Sequence, residues 1–337
     1  MARRLVTVFG GSGFIGRHLI QRLAKQGAII RVATRDTEAA NFLKPLGEIG
    51  QVVPVPVDIA NEDSIARAVH GADQVINLIG ILSEWGKSTF QRIHVDTAGA
   101  VARAAAKAGV GQLVHVSALG ASPESASFYA RSKAAGEEAV KAAFADAVIV
   151  RPSAVFGPED RFFNLFASLA RFTPVMPVFG CPLIPKLHLF GLDAPVDLDF
   201  YGDGGTRLQP VYVGDIADAI TKILGDGSIK GKTYELAGPH VYSFKAMMDM
   251  ILKESSRPRI LIPYPFALAK FWAWFLEFLP NPILTRDQVT LLKDDNVISG
   301  DLPGFADLGL KAARAEAMLP TYLRRFRPPA KRHLREA

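Results

Sequence analysis

"VTVFGGSGFIGRHL", residues 6–19, decides the fold. A short β-branched and apolar run ends at Phe9. Three glycines follow at Gly10, Gly13 and Gly16, and a helical pattern begins at once. A strand that turns sharply into a helix around a pyrophosphate needs glycine at each of these points. Gly10 permits the tight turn, Gly13 lets backbone approach the ligand, and Gly16 lets the helix pack closely on the strand. The amides that open the helix, Phe14 and Ile15 among them, then face the phosphates, with Arg17 just inside as a cation. A glycine-rich turn with no ligand is the other reading. The strand before it and the helix after it favour the dinucleotide reading.

The rhythm continues outward from this turn. Apolar runs at 5–9, 29–34, 52–57, 74–80, 112–118 and 147–152 alternate with helical patterns starting near Gly13, Glu38, Asn61, Thr97 and Ser127. Strands alternating with helices imply parallel strands joined by crossovers, a doubly wound α/β sheet. Runs without polar alternation suit strands buried on both faces. After residue 157 the rhythm breaks. Pro174, Pro177, Pro182, Pro185, Pro195 and Pro210 mark irregular chain, which reads as a loop-rich cap or insertion. A strand at 208–213 and a helix from Asp215 then return to the sheet pattern. The expected division is a dinucleotide-binding domain over 1–160 and 208–240, a smaller, irregular α/β cap and C-terminal region over 161–207 and 241–323, and a basic tail over 324–337. The stretch 181–207 has no counterpart in the strand–helix pattern.

The chain has 337 residues, 49% hydrophobic and 21% charged, so wholesale disorder is excluded. A single cysteine, Cys181, excludes an intramolecular disulfide framework and fits a reducing compartment. "MARRLVTVFGG" runs from two arginines straight into a strand, and no secretory signal is expected. The net charge of +6 is concentrated in the tail, where Arg324, Arg325, Arg327, Lys331, Arg332 and Arg335 face only Glu336. Such a tail is either a solvated end or a contact for an acidic protein surface or anionic headgroups. No interleaving of aromatic and basic residues argues for nucleic acid, and no metal site is expected.

The end of the second strand selects the cofactor. An acidic residue there would bind ribose hydroxyls. The sequence is "VATRD", with Arg35 ahead of Asp36. Arg35 suits a 2′-phosphate, so NADPH is expected, and Asp36 keeps NADH as the alternative. Asp58, after the third strand, either contacts adenine or caps the next helix. In "FYARSKAAGE", residues 128–137, Tyr129 and Lys133 stand one helical turn apart on one face. An ammonium near a phenol is expected to lower the tyrosine pKa, as a proton-transfer catalyst requires.

Gly10–Gly13–Gly16, Asp58, "NLIG" from Asn77, Ser117, Tyr129 and Lys133 together resemble the short-chain dehydrogenase/reductase superfamily, over about residues 5–240. "RPSAVFGPED" and "PVYVGDIADAI" resemble its extended, epimerase-type branch. The resemblance implies a Rossmann fold and a set in which Ser117 orients a substrate oxygen, Tyr129 passes a proton, and Lys133 holds the nicotinamide ribose. Ile59, just after the third strand, and Gly80 and Pro152, at the ends of the fourth and sixth, complete the expected cofactor contacts. Two positions depart from the pattern. His94 stands where an asparagine is usual, and Leu208–Gln209 stands where sugar-nucleotide members carry Arg-Asp.

A longer resemblance is to the nucleotide-binding accessory subunits of respiratory complex I. It is carried by "VFGGSGFIGRHL", "YARSKAAGE", "RPSAVFGPEDRFFNLFASLARF", "QPVYVGDIADAI", "LPNPILTRDQVTLLKDDN" and "LPGFADLGL". It implies a largely structural NADPH and a place on the peripheral arm near the membrane and the quinone pocket, among other complex I subunits. That is the cytoplasmic face of the membrane in a bacterium and the matrix side in a mitochondrion. The alternative is a free NADPH-dependent reductase, dehydratase or epimerase acting on a small or lipid-like substrate.

"YPFALAKFWAWFLEFLP", Tyr264–Pro280, is dense in Phe and Trp. It is shorter than the roughly twenty apolar residues a bilayer span needs. It is either a buried C-terminal helix or an interfacial one that contacts a subunit or, with the basic tail, the membrane surface.

Overall fold

A computed structural model describes residues 4–182, 186–189, 196–280 and 282–329. Its strands are β1 (Leu5–Phe9), β2 (Ile29–Thr34), β3 (Val52–Pro56), β4 (Gln74–Asn77), β5 (Gln112–Val116), β6 (Val148–Pro152), β7 (Val155–Phe156), β8 (Val175–Phe179), β9 (Lys186–Leu189), β10 (Val196–Asp199), β11 (Arg207–Leu208), β12 (Val211–Tyr212), β13 (Thr233–Leu236), β14 (Tyr242–Ser243) and β15 (Ile260–Tyr264). Its α-helices are α1 (Phe14–Lys25), α2 (Glu62–Val69), α3 (Thr97–Lys107), α4 (Phe128–Ala143), α5 (Phe162–Leu169), α6 (Val213–Gly225), α7 (Phe244–Glu254), α8 (Phe266–Leu276), α9 (Arg286–Leu291) and α10 (Ala315–Leu323).

Seven strands form one parallel sheet in the order β13-β6-β5-β4-β1-β2-β3. The central strands β4 and β5 are buried along their whole length, which is why they read as unbroken apolar runs. On one face α1 and α6 bury Leu19, Leu23, Ile216 and Ile220 against Val6, Val8, Ile30 and Val32. On the other, Ile65, Val69, Val101 and Val140 from α2, α3 and α4 close over Phe9, Val75 and Leu113. The winding reverses between β1 and β4, and the crevice outside the carboxyl ends of the strands opens at that point. A further core joins β8, α5, α7, α8 and α10 through Phe163, Phe166, Met176, Phe244, Met247, Ala269 and Leu319.

Four sequence expectations change. The stretch 208–213 is not a sheet strand: β11 pairs with β14 and β12 with β7, both as two-residue ladders. The seventh sheet strand is β13, whose Glu235 disguises it. The helix beyond that stretch begins at Val213, before Asp215. The helix expected near Glu38 is a 3₁₀ turn, Asn41–Leu46, with Pro45 inside it, because a proline ring cannot sit within an α-helical ladder. In 181–207, β9 and β10 pair as an antiparallel ladder.

Helix α8 buries only Ala269 and Ala273. Phe271, Trp272, Trp274, Phe275 and Phe278 remain 45–65% exposed, so of the two readings of this segment the buried helix fails. No helix among the described residues is long and apolar enough to cross a membrane. The start of the basic tail lies on its own protein: Arg325 donates to the Pro158 carbonyl at 3.0 Å and Arg327 to that of Glu254 at 2.7 Å. Lys331, Arg332 and Arg335 fall outside the described residues.

Candidate nucleotide site

The parallel sheet delivers the ends of β1, β2, β4, β5 and β6 to one edge. At the end of β1, Gly10 adopts φ +74°, and a β-carbon there would stand 3.0 Å from the Leu78 carbonyl carbon. The turn closes through Gly13 N–H to the Gly10 carbonyl at 3.0 Å. A β-carbon at Gly16 would collide with the Gly11 backbone. Only glycine fits at Gly10 and Gly16, and the first amides of α1 have no side-chain cap. This cradle fits the diphosphate of a dinucleotide. Phe14 opens α1 with its ring edge-on to His18, and Ile15 packs on the α1–α6 core.

Arg35 is exposed past the end of β2. Asp36 is turned away into a local loop, accepting the Ala39 amide at 2.9 Å. Arg17 lies over the Phe42 ring at 5.0 Å and pairs with Glu159 at 3.5 Å, while its buried Nε has no partner among the described residues. Asp58 is exposed and holds the Ala60 amide at 2.9 Å. It does not cap α2. Asn61 does, accepting from Asp63 and Ser64. Ile59 packs on the α2–α3 side, and the buried Pro152 accepts the Leu119 amide at 2.8 Å.

Ser127 caps α4, accepting the Ala130 amide, and the helix carries Tyr129 in its first turn and Lys133 one turn later. The Lys133 ammonium is 5% exposed and donates to the Val116 carbonyl at 3.2 Å. It lies alongside Gly80, where a β-carbon would stand 3.3 Å from it. Burial pushes Lys133 down to about 8, against the pull of Glu137. The Tyr129 phenol is pushed up to about 12 by burial alone. The expected lowering is therefore reversed. The ammonium is spent on a carbonyl, and the phenol ring lies edge-on to Phe90 and His94 at 5.9 and 5.4 Å. Ser117 follows β5; its Oγ is buried and has no hydrogen-bond partner among the described residues. Such an orphan suits a ligand oxygen.

The sequence reading marked His94 only as a departure from the family pattern and missed three other groups. His94 lies in a π-helical turn, Gln91–Asp96, ahead of α3. Its Nε2 accepts the Ile81 amide at 3.0 Å, so Nδ1 carries the proton and donates to Ser132 Oγ at 2.8 Å. Ser132 in turn donates to the Tyr129 carbonyl at 2.7 Å. Burial first, then Lys133, hold His94 down to about 3, so it is a neutral clip between the loop after β4 and α4. His115, the one basic letter in the buried β5, is likewise pushed to about 3, chiefly by burial. Behind Lys133, Glu137 and Arg151 form a bidentate pair at 2.8 and 2.7 Å.

The third group comes from the far end of the chain. Asp287, in the first turn of α9, accepts from Phe128 N at 2.7 Å, Tyr129 N at 3.0 Å and Ser127 Oγ at 2.8 Å. Its neighbour Gln288 donates to the Leu82 carbonyl at 3.2 Å. The only sequence signal was the Thr285–Gln288 capping box that starts α9. Among the described residues, no group of three His, Cys, Asp or Glu is arranged to hold a metal ion.

Residues 6–237 match the model of the NAD dependent epimerase/dehydratase family. The chain is 36% identical over 327 residues to the mitochondrial NADH dehydrogenase (ubiquinone) 1 alpha subcomplex subunit 9 of Mus musculus, covering 96% of this chain and 80% of that one. It is 39% identical over 180 residues to a ceramide reductase of Caulobacter vibrioides, 53% of this chain and 55% of that one. The Thermus thermophilus UDP-glucose 4-epimerase, solved with NAD, superposes with a TM-score of 0.66 at 20% identity over 96% of this chain and 98% of that one, a likeness of fold. The glycine cradle and the family match make a nicotinamide dinucleotide the cofactor class of this cleft. The chain belongs to the NAD dependent epimerase/dehydratase family, in the branch that holds the alpha-subcomplex subunit 9 proteins.

Proposed function

We propose that the chain is an accessory subunit of a membrane-bound NADH:quinone oxidoreductase and holds NADPH chiefly as a structural cofactor. The observation that carries this reading is α8. It is an uncovered apolar helix in a region beyond the end of the family match at residue 237, where the relationship to the subunit 9 proteins continues over 96% of the chain. An apolar face of this kind needs cover by a partner or a membrane. On this reading the protein sits on the peripheral arm near the membrane and quinone pocket, with α8 and the basic tail toward other subunits and headgroups. The subunit 9 relatives are named as mitochondrial; the proposed side is the matrix in a mitochondrion and the cytoplasm in a bacterium.

Each residue then has a binding role. Gly13 lets the diphosphate approach and the amides of Phe14 and Ile15 take it, Arg35 takes the 2′-phosphate, and Asp36, engaged with Ala39, leaves that position to the cation. Lys133 binds the nicotinamide ribose, with Tyr129 and Ser117 beside it. The nicotinamide supplies hydride chemistry when bound. The phenol, pushed up to about 12, is poorly suited to proton transfer at neutral pH. A ligand bound only to the folded state, at a thousand times its dissociation constant, stabilises it by about 4 kcal/mol. Gentle purification from membranes tests the proposal. NADPH and the subunits of an NADH:quinone oxidoreductase should travel with the chain. Recovery as a lone protein at moderate salt would overturn it.

One observation favours a second reading, a reductase of a lipid-like oxo compound. The Ser117 hydroxyl is buried and unpartnered in a complete Ser-Tyr-Lys set, in a chain related to a ceramide reductase. NADPH oxidation with a long-chain oxo amphiphile distinguishes the two. The reductase reading expects Tyr129→Phe to cost about 10²–10⁴-fold in turnover, and the structural reading expects no turnover to lose.

A further inference from the structure

We infer that Asp287 is a positioning residue that couples the docking of α8 on an anionic bilayer to nucleotide binding on α4. The inference rests on the reading just given, that the cleft holds NADPH and α8 meets a membrane.

The connection is continuous. Helix α8 presents Phe271, Trp272, Trp274 and Phe275, each 45–55% exposed. Glu277, which caps α8, is neutralised by Arg286 at 2.5 Å. That ion pair joins α8 to the start of α9, and Lys270 is left as the exposed charge on the helix. An aromatic helix face that carries its own surplus cation suits the headgroup region of an anionic bilayer. The segments that α9 holds also carry exposed apolar side chains: Phe128 is 66% exposed, and Leu82 and Trp85 48% and 54%. Phe128 opens α4, and Leu82 and Trp85 belong to the loop after β4.

From α9 the connection enters the cleft. The Asp287 carboxylate holds two first-turn amides of α4 and the hydroxyl of its cap, Ser127. A carboxylate at a helix start satisfies free amides and interacts well with the helix dipole. One of those amides belongs to Tyr129, and Lys133 is one turn on. Gln288 holds the Leu82 carbonyl, two residues from Gly80 beside the Lys133 ammonium. Displacing α9 therefore displaces both walls of the nicotinamide side, the first turn of α4 and the loop after β4. If bilayer contact fixes α8 and α9, it fixes these walls, and bound nucleotide must by reciprocity favour docking.

The experiment uses the full-length protein, with NADPH affinity measured by titration with and without vesicles of phosphatidylcholine and phosphatidylglycerol. Vesicles should tighten NADPH binding about fivefold in the wild type. Asp287→Asn keeps the side-chain shape but loses the charge and one of its two acceptor oxygens, which becomes a donor. It should bind vesicles like the wild type and show no such enhancement. An enhancement undiminished in Asp287→Asn overturns the proposal, as does a wild type that binds both ligands without coupling. A wild type that binds no NADPH, or no vesicles, sinks the underlying reading and this one with it. Hydrogen exchange on the wild type is independent of any variant. NADPH should slow exchange in residues 266–291, and unchanged exchange there in protein saturated with NADPH overturns the coupling.

Discussion

Lys133 is held as a cation in a place that disfavours cations. Its ordinary value is 10.5, and burial lowers it to about 8 in the fold. Between those values the unfolded chain carries a proton that the folded chain has lost, so stability rises with pH across that window. At neutral pH the buried ammonium costs about 3 kcal/mol. Without nucleotide, Lys133→Met should therefore unfold at higher denaturant than the wild type at pH 7 and lose the rise between pH 8 and 10.5. The same variant should retain NADPH poorly, which separates a residue kept for its ligand from one kept for the fold. Arg35 makes the opposite case, an exposed group with little to do in the fold. Arg35→Ala should leave the unfolding midpoint unchanged and weaken NADPH by about 1.5–3 kcal/mol, tenfold or more, with little effect on NADH. Paired titrations of the two nucleotides check this.

Helix α4 meets the π-helical turn ahead of α3 where Gly136 faces the His94 carbonyl, and a β-carbon there would collide with it. Gly136→Ala should destabilise by about 2–3 kcal/mol and loosen the His94 clip on Ile81. Denaturant titration gives the first effect, and a weaker NADPH affinity reports the second. At this scale the sequence was most informative where backbone geometry alone decides. Gly10, with its positive φ, and the apolar runs of β4 and β5 placed the turn and the sheet correctly. The same logic missed β13, because "TYEL" places a carboxylate in a strand. That carboxylate is satisfied by the Ser299 amide at 2.9 Å and by Arg151 at 4.0 Å, which no local pattern encodes. Asp287 was illegible for a related reason, since it stands 158 residues from the amide of Tyr129. The Tyr129–Lys133 spacing was read correctly and its electrostatics were not, because burial by distant elements outweighs a neighbour one turn away.

At the scale of the whole molecule, the uncovered aromatic face of α8 departs from an ordinary soluble surface. Trp272 and Phe275 are about half exposed, so Trp272→Ser with Phe275→Ser should shift stability by less than about 1 kcal/mol. The same pair should move the protein from the membrane fraction to the supernatant, as measured by flotation. The position of the aromatic residues has an optical consequence. The chain has three tryptophans, and Trp85, Trp272 and Trp274 are 54%, 51% and 45% exposed, with none in the cores. Their emission in the free native protein should already lie close to that of solvated indole, so unfolding should barely move it. Transfer of those rings into a bilayer or a partner should shift the emission to shorter wavelength. Tryptophan fluorescence should therefore gauge docking in this protein while remaining nearly blind to folding.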